Sequence, residues 1–339
     1  KPEISNSIEV GLDWRMFKQR FGLDLAFYNN ITRNQILDVP MDQTTGYTKA
    51  TMNSGKVRNR GIELQLDGTP VKTKNFTWNS TFTWAKNYNK VLSLAAGLTD
   101  GQTIAYTGGT NCALIAKVGG SIGDIYGYKL KRAPDGQVVW KDGITARTTE
   151  FEYVGNAYPA WKAGFSNEFS YKNFRVSILF DGQWGGIVYS QTHHKMTEHG
   201  TLKHTLKYRE NPNFEVVGEG VMLDERGQYV PNNVPISVSK YYADYWRRAN
   251  VETNSFDASF LKLREARIEY TIPSAGLNKI GIERLTLALY GRNLAMWTKD
   301  FPVYDPEVAT LNNGTIVPGS EMGQLPSTRT MGFNLTLKF

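Results

Sequence analysis

Apolar side chains recur at every second position in stretch after stretch of this chain, and a two-residue period defines a β-strand with unlike faces. Ile8, Val10, Leu12, Trp14 and Met16 alternate with Glu9, Gly11, Asp13 and Arg15. Phe21, Leu23, Leu25 and Phe27 alternate with Gly22, Asp24, Ala26 and Tyr28. The pattern returns at 62–67, 76–84, 161–170, 174–180, 266–270 and 285–292, and the sequence ends on it, with Met331, Phe333, Leu335, Leu337 and Phe339. Only KYYADYWRR (240–248) has helical spacing, enough for about two turns. With no alternation of strands and helices the chain reads as all-β.

The connections are unequal. Links at 17–20, 69–75, 172–173 and 273–283 are short, and those at 38–54, 91–119, 186–254 and 298–328 are long. Short and long links alternate, as in a transmembrane barrel with tight turns at one end and loops at the other. Structureless links beyond about 12–15 residues are uncommon in compact soluble folds. Following the direction of successive strands leaves room for one more pair between 76–90 and 160–171. Residues 122–132 and 137–140, joined at Pro134-Asp135-Gly136, fit that place and bring the expected count to eleven. An odd number, with a first strand running toward the short turns, predicts further strands N-terminal to this chain.

No run approaches 18 apolar residues, so no helix is long and apolar enough to cross a membrane, and mean hydropathy is −0.41. A spanning strand needs only about 9–11 residues, half of them polar, so the barrel reading survives. Cys112 is the one cysteine, which excludes an internal disulfide framework and a thiolate metal site. The net charge of +7 is scattered rather than striped, and no nucleic-acid partner is expected. The opening KPEISNSIEV is already strand-like and is no secretory signal, so such a signal is removed or the chain is part of a longer polypeptide.

Alternation alone fits a soluble sandwich as well. Small and polar residues recur on the second face, as a hydrated lumen requires. Aromatics cluster at strand ends: Phe21, Trp84, Trp161, Tyr171, Trp184, Trp297 and Phe339 are the expected membrane-interface residues. The expected fold is therefore a transmembrane antiparallel β-barrel bathed in outer-membrane lipid.

Several longer segments resemble the SusC/RagA family of TonB-dependent outer-membrane transporters from Bacteroidetes. They are NSGKVRNRGIELQL (53–66), VGNAYPAWKAGFSNEFSYKNFRVSILFDGQWGGIVYS (154–190), SFLKLREARIEYTIP (259–273), LALYGRNLAMWTKDFPVYDPEV (287–308) and PSTRTMGFNLTLKF (326–339). The resemblance implies a twenty-two-strand barrel of which residues 1–339 form the C-terminal half, the plug domain and the N-terminal strands belonging to the rest of the polypeptide. It implies active import of an oligosaccharide or peptide, a SusD-like surface lipoprotein as lid, and a TonB complex acting through the plug. An outer-membrane barrel enzyme and a secreted carbohydrate-binding β-protein are the alternatives.

No catalytic motif or cofactor cradle is present, and no enzyme activity, cofactor or resident metal is expected. His193, His194, His199 and His204 share one long loop, but their spacing matches no helical zinc motif. Tyr304-Asp305-Pro306-Glu307 offers two carboxylates suited to shaping a loop or clasping a cation. Tyr189, His193, His194, Tyr241, Tyr242, Trp246, Tyr304 and Asp305 are the candidates for substrate or lid contact, with loop anchoring as the plainer role. Arg267, Glu269, Tyr290 and Arg292 are the lumen-facing candidates. Asn53, Gly55, Arg58, Asn59 and Arg60 read first as strand entry and wall packing.

Overall fold

A computed structural model of the chain describes residues 1–40, 43–47, 49–53, 55–95, 101–107, 109–273, 281–307, 310–312 and 315–339. Nine strands form one continuous antiparallel sheet in chain order. They are β1 (Ile4–Met16), β2 (Phe21–Arg33), β3 (Gly55–Lys72), β4 (Phe76–Leu94), β5 (Trp161–Tyr171), β6 (Phe174–Trp184), β7 (Phe260–Ile272), β8 (Arg284–Thr298) and β9 (Thr330–Lys338). β1–β2, β3–β4, β5–β6 and β7–β8 join through the short links, and every long link lies at the opposite end. Pro70, which cannot donate to a ladder, falls where the β3–β4 register shifts between Gly68 and Val71.

The count is nine, not eleven. β4 pairs directly with β5, Phe82 opposite Phe165, so nothing stands between them. The Pro134-Asp135-Gly136 turn does form, with Ala133 N–H donating to Gln137 O at 2.9 Å, but it lies outside the wall. Asp124–Gly127 joins a separate four-stranded sheet with Gln102–Thr107, Cys112–Ala116 and Glu152–Asn156. Val139–Lys141 pairs with Ile144–Thr145 and Val221–Leu223. Strands of four and three residues span about 13 Å at most, too little to cross a bilayer.

The register lines the faces up. Leu12, Leu25, Leu64, Trp84, Ala163, Gly182, Leu261 and Trp297 follow one another across eight strands on one face. This face is bare: Leu289, with a strand on either side, is 63 % exposed, and Phe165, Ile268 and Leu287 are exposed too. A soluble fold would hide them; here they meet hydrocarbon. Asn167 interrupts the face, but Trp78 Nε1–H donates to its Oδ1 at 2.9 Å, which pairs the indole N–H with the amide oxygen. Trp161 and Trp184 stack at 6.3 Å at the loop end, and Phe174 meets Tyr270 at 4.5 Å at the turn end. Trp161 and Tyr171 bracket β5. Ten residues at about 3.4 Å, tilted by about 40°, rise roughly 26 Å, the height of a lipid-facing band. Trp84 and Trp297 share the upper band, and Phe21 and Phe339 sit at the turn end.

The apolar cores lie in the loops. Leu130, Val138, Trp140, Ile236, Val238, Tyr241 and Tyr242 form one, and Cys112, Leu114, Ile125, Tyr189, Val251 and Val317 another. Two helices stiffen this layer: α1 (Gln191–Glu198), capped by Ser190 Oγ on His193 N–H, and α2 (Val238–Tyr245), capped by Ser237 Oγ on Lys240 N–H.

Candidate functional site

Residues of seven consecutive strands, polar ones from the first six, line one cavity of about 740 Å³, which makes the polar face concave. Gly11, Asp13, Asp24, Glu63, Gln65 and Thr83 lie on one side of it, and Lys162, Asp181, Gln183 and Glu307 on the other. Charges on this face pair across strands. Arg15 grips both carboxylate oxygens of Asp24 at 2.9 Å and Arg292 meets Glu265 at 2.9 Å, while Arg267 meets Glu269 along β7 itself. Glycines make room for the larger partners. Gly332 stands opposite Tyr290, and a Cβ there would fall 2.6 Å from the Tyr290 hydroxyl oxygen. Gly61 is opposite Tyr28 in the same relation. Arg267, Glu269, Tyr290 and Arg292 all lie on the face of Asp181 and Lys262, opposite the bare apolar one.

At the loop end of this face sits an ionic cluster that periodicity did not reveal. Lys262, 2 % exposed, donates to both oxygens of Asp305, also 2 % exposed, at 2.8 and 2.7 Å, and to Glu307. Arg264 binds Asp181 at 2.6 and 2.7 Å and Glu307 at 3.0 and 2.9 Å. The loop after β8 is thereby fastened to β6 and β7. Burial raises the Asp305 carboxyl's affinity for a proton, but hydrogen bonds from Lys262, Ser327 and the Glu307 N–H, together with the Lys262 charge, outweigh it and hold the group below the usual carboxylate range.

Glu321, fully buried, forms a second knot. Its carboxylate accepts from Ser190 Oγ at 2.5 Å, Thr192 Oγ1 at 2.5 Å, Thr192 N–H at 3.3 Å, Gly323 N–H at 2.6 Å and the Tyr304 hydroxyl. Among the described residues, neutral donors alone solvate this carboxylate, which ties two loops together. Glu321→Gln puts an amide donor among these donors and is expected to weaken the joint by about 1–3 kcal/mol, read as faster proteolysis of the 299–329 loop.

His193 and His194 are interior, His204 is half-buried and His199 is exposed. His193 Nδ1 pairs with Asn254 Oδ1 at 2.9 Å, His194 Nδ1 with Trp246 O at 2.8 Å, and His204 Nε2 with Thr197 Oγ1 at 3.2 Å. His193 stacks on His204 at 5.3 Å, and His204 lies against Trp246 at 5.1 Å. Burial pulls His193 down to about 4, against the pull of Asn254, and lowers His194 and His204 as well. An unfolded His193, at its ordinary 6.5, takes up a proton before the folded one does. Stability is therefore complete above about pH 6.5 and declines as the pH falls toward about 4. Amide exchange in α1 and α2 is expected to accelerate over that interval; rates flat from pH 7 to 4 would contradict it.

The structure thus places most of the expected contact residues inside the loop layer. Tyr189 is buried, its hydroxyl donating to Arg248 O at 3.2 Å, and Tyr241 and Tyr242 are buried against Trp140, Tyr208 and Trp246. His193 and His194 join them, and Asp305 is spent on Lys262. Only Trp246 and Tyr304 keep partial exposure. The reason is physical: these loops carry the chain's apolar cores, and aromatic rings supply them. Asn59 accepts from Asn87 and Asn89 at 3.2 and 2.9 Å, and Asn53 binds the backbone of Lys1 and Asn34, in keeping with wall packing and strand entry.

A strip of wall with a bare apolar outside, a charged concave inside and a structured cap at one end is a sector of a transmembrane β-barrel. The sequence profile described as TonB dependent receptor-like, beta-barrel, matches residues 1–294, and the chain belongs to that family. TonB-dependent receptor P26 of Formosa agariphila is 29 % identical over 99 % of this chain and 34 % of its own length. TonB-dependent receptor SusC of Bacteroides thetaiotaomicron is 24 % identical over 56 % of the chain and 20 % of its own. The fold matches a structure of the RagAB peptide transporter with a TM-score of 0.71 at 21 % identity, covering 99 % of this chain and 35 % of that one. The SusC/RagA resemblance is borne out, and the chain spans about a third of the length of the first curated relatives it matches.

Proposed function

We propose that this chain is the C-terminal wall section of an outer-membrane importer that takes up an oligosaccharide or peptide, driven by TonB through a plug in the same polypeptide and lidded by a SusD-like surface lipoprotein. The observation that carries this reading is the pairing of a bare lipid-type face with a concave charged face under a capped end. A secreted sugar-binding protein would not leave Leu289 and Phe165 uncovered. The chain does no covalent chemistry in this reading; it supplies wall, lumen lining and outer loops. Arg267, Glu269, Tyr290 and Arg292 line the lumen. Lid contact falls to exposed apolar loop residues such as Leu206, Phe214, Leu223 and Tyr229, and to the partly exposed Trp246 and Tyr304.

The test is uptake by whole cells. Deleting the gene, or the TonB gene alone, is expected to abolish accumulation of one labelled oligosaccharide or peptide pool. The transporter is expected to bring down a surface lipoprotein after mild detergent extraction. Uptake that persists without TonB would refute the reading.

A further inference from the structure

We propose that the wall carries a peptide-binding slot at the loop end of the β4–β5 seam. The two strands pair from Phe76 opposite Tyr171 up to Ala85 opposite Lys162, and there the ladder stops. β4 continues to Leu94 and stays paired with β3 on its other edge. On the β5 side its backbone finds partners again only at Val91, whose N–H donates to Gly120 O at 2.8 Å and whose carbonyl accepts from Gly119 N–H at 2.9 Å. In a strand, every second residue turns both its N–H and its C=O to the same edge. Asn87 and Asn89 are in phase with Val91, so their backbone groups face the gap. A second observation fixes the phase: a Cβ on Gly61 of β3 would lie 2.4 Å from Lys86 O, which places the Lys86 carbonyl on the β3 side. Among the described residues, no hydrogen bond reaches the backbone of Asn87 or Asn89 from the gap.

The gap is open space. A cavity of about 370 Å³ occupies it, lined by Tyr28, Tyr88, Tyr158, Trp161 and Lys162 together with the strand edge. The asparagine side chains are engaged elsewhere: Asn87 accepts from Tyr28 Oη at 3.1 Å, and Asn89 accepts from Ser121 Oγ at 3.0 Å and Ile122 N–H at 2.9 Å. What is left unfilled is backbone, two donors and two acceptors about 6.8 Å apart along the strand. An extended peptide carries the complementary pairs at that repeat and adds as a short strand, its alternate side chains meeting the tyrosines and Trp161. A glycan has hydroxyls but no such period. This inference rests on the import reading and names its cargo: a peptide in extended form.

The test uses the full-length transporter in detergent and fluorescein-labelled acetyl-Thr-Val-Thr-Val-Thr-amide as probe. A peptide N-methylated along one edge keeps the other edge free for β4, and is expected to bind within about twofold of the parent. Methylating both edges removes every residue N–H of the strand, and with about 1 kcal/mol per bond the loss is expected to reach about tenfold or more. Asn87→Pro removes the gap-facing donor at a place where a strand tolerates proline, and is expected to weaken the parent peptide to a similar degree while leaving heat-modifiable gel mobility unchanged. Should that variant not fold, the methylation series decides alone. Equal binding of all three peptides, or binding of maltohexaose with none of the peptide, would overturn the slot. TonB-dependent uptake is scored separately. If it persists while methylation has no effect, the slot falls and the import reading stands; if it is absent, the import reading falls and the peptide series still judges the slot.

Discussion

Phe165→Arg is expected to cost the wall about 2–4 kcal/mol, the penalty for a cation facing lipid near mid-bilayer. Phe165 lies on β5 between Trp161 and Tyr171, with Phe82 and Phe180 directly across on its neighbours. One residue along, Ser166 points to the other face, beside Thr81 and Leu179, and Thr81 in turn donates to Asp67. Ser166→Arg places the same guanidinium in the lumen and is expected to change stability by no more than about 0.5 kcal/mol. The comparison is made on the full transporter, by urea unfolding in lipid bilayers and by the yield of heat-modifiable protein. Both variants carry an added charge on the same strand, so only the direction of the side chain separates them. Equal loss in the two would mean that the faces are not what they appear, and the membrane assignment would go with them.

The alternation that fixes these faces was legible in the sequence because it is local: neighbouring side chains on a strand point opposite ways whatever the tertiary context. Link lengths were legible for the same reason, and with them the placing of turns at one end and loops at the other. The strand count was not. Residues 122–140 alternate and turn as convincingly as the wall does, and the hairpin turn is real. Only its shortness separates it from a membrane strand, and pattern is a poor measure of length. α1 was hidden because QTHHKMTE has no apolar stripe; its one local sign is the Ser190 cap. The loop aromatics could not be sorted into surface and interior either. Tyr241 and Tyr242 look alike in sequence whether they await a sugar or fill a core around Trp140. Parity does put Lys262 on the polar face, but its partners stand 43 and 45 residues away in a loop, and no local rule connects them.

Lys262→Met is expected to be the most damaging single substitution at the loop end. It leaves Asp305 with no cation in contact and Glu307 with only Arg264, which is already bound to Asp181. An uncompensated buried charge costs about 3–5 kcal/mol. The loss is expected at the joint rather than through the wall. The 299–329 loop would come free of β7, becoming sensitive to protease while the barrel's unfolding midpoint moves little. The double variant Lys262→Met with Asp305→Leu removes both charges and is expected to recover much of the protease resistance, since a well-packed apolar pair replaces such an ion pair at little cost. Lys299→Ala is the contrast: its 2.6 Å pair with Asp257 is half-exposed and screened by water, so its loss is expected to leave the protease resistance of the loop unchanged. If the double variant resists protease and imports normally, the ion pair serves only to hold the loop. If it resists protease and still fails to import, the charge itself acts on what passes the lumen below. Wild-type resistance in the single variant would assign the fastening to Glu321 and the Arg264–Glu307 pair.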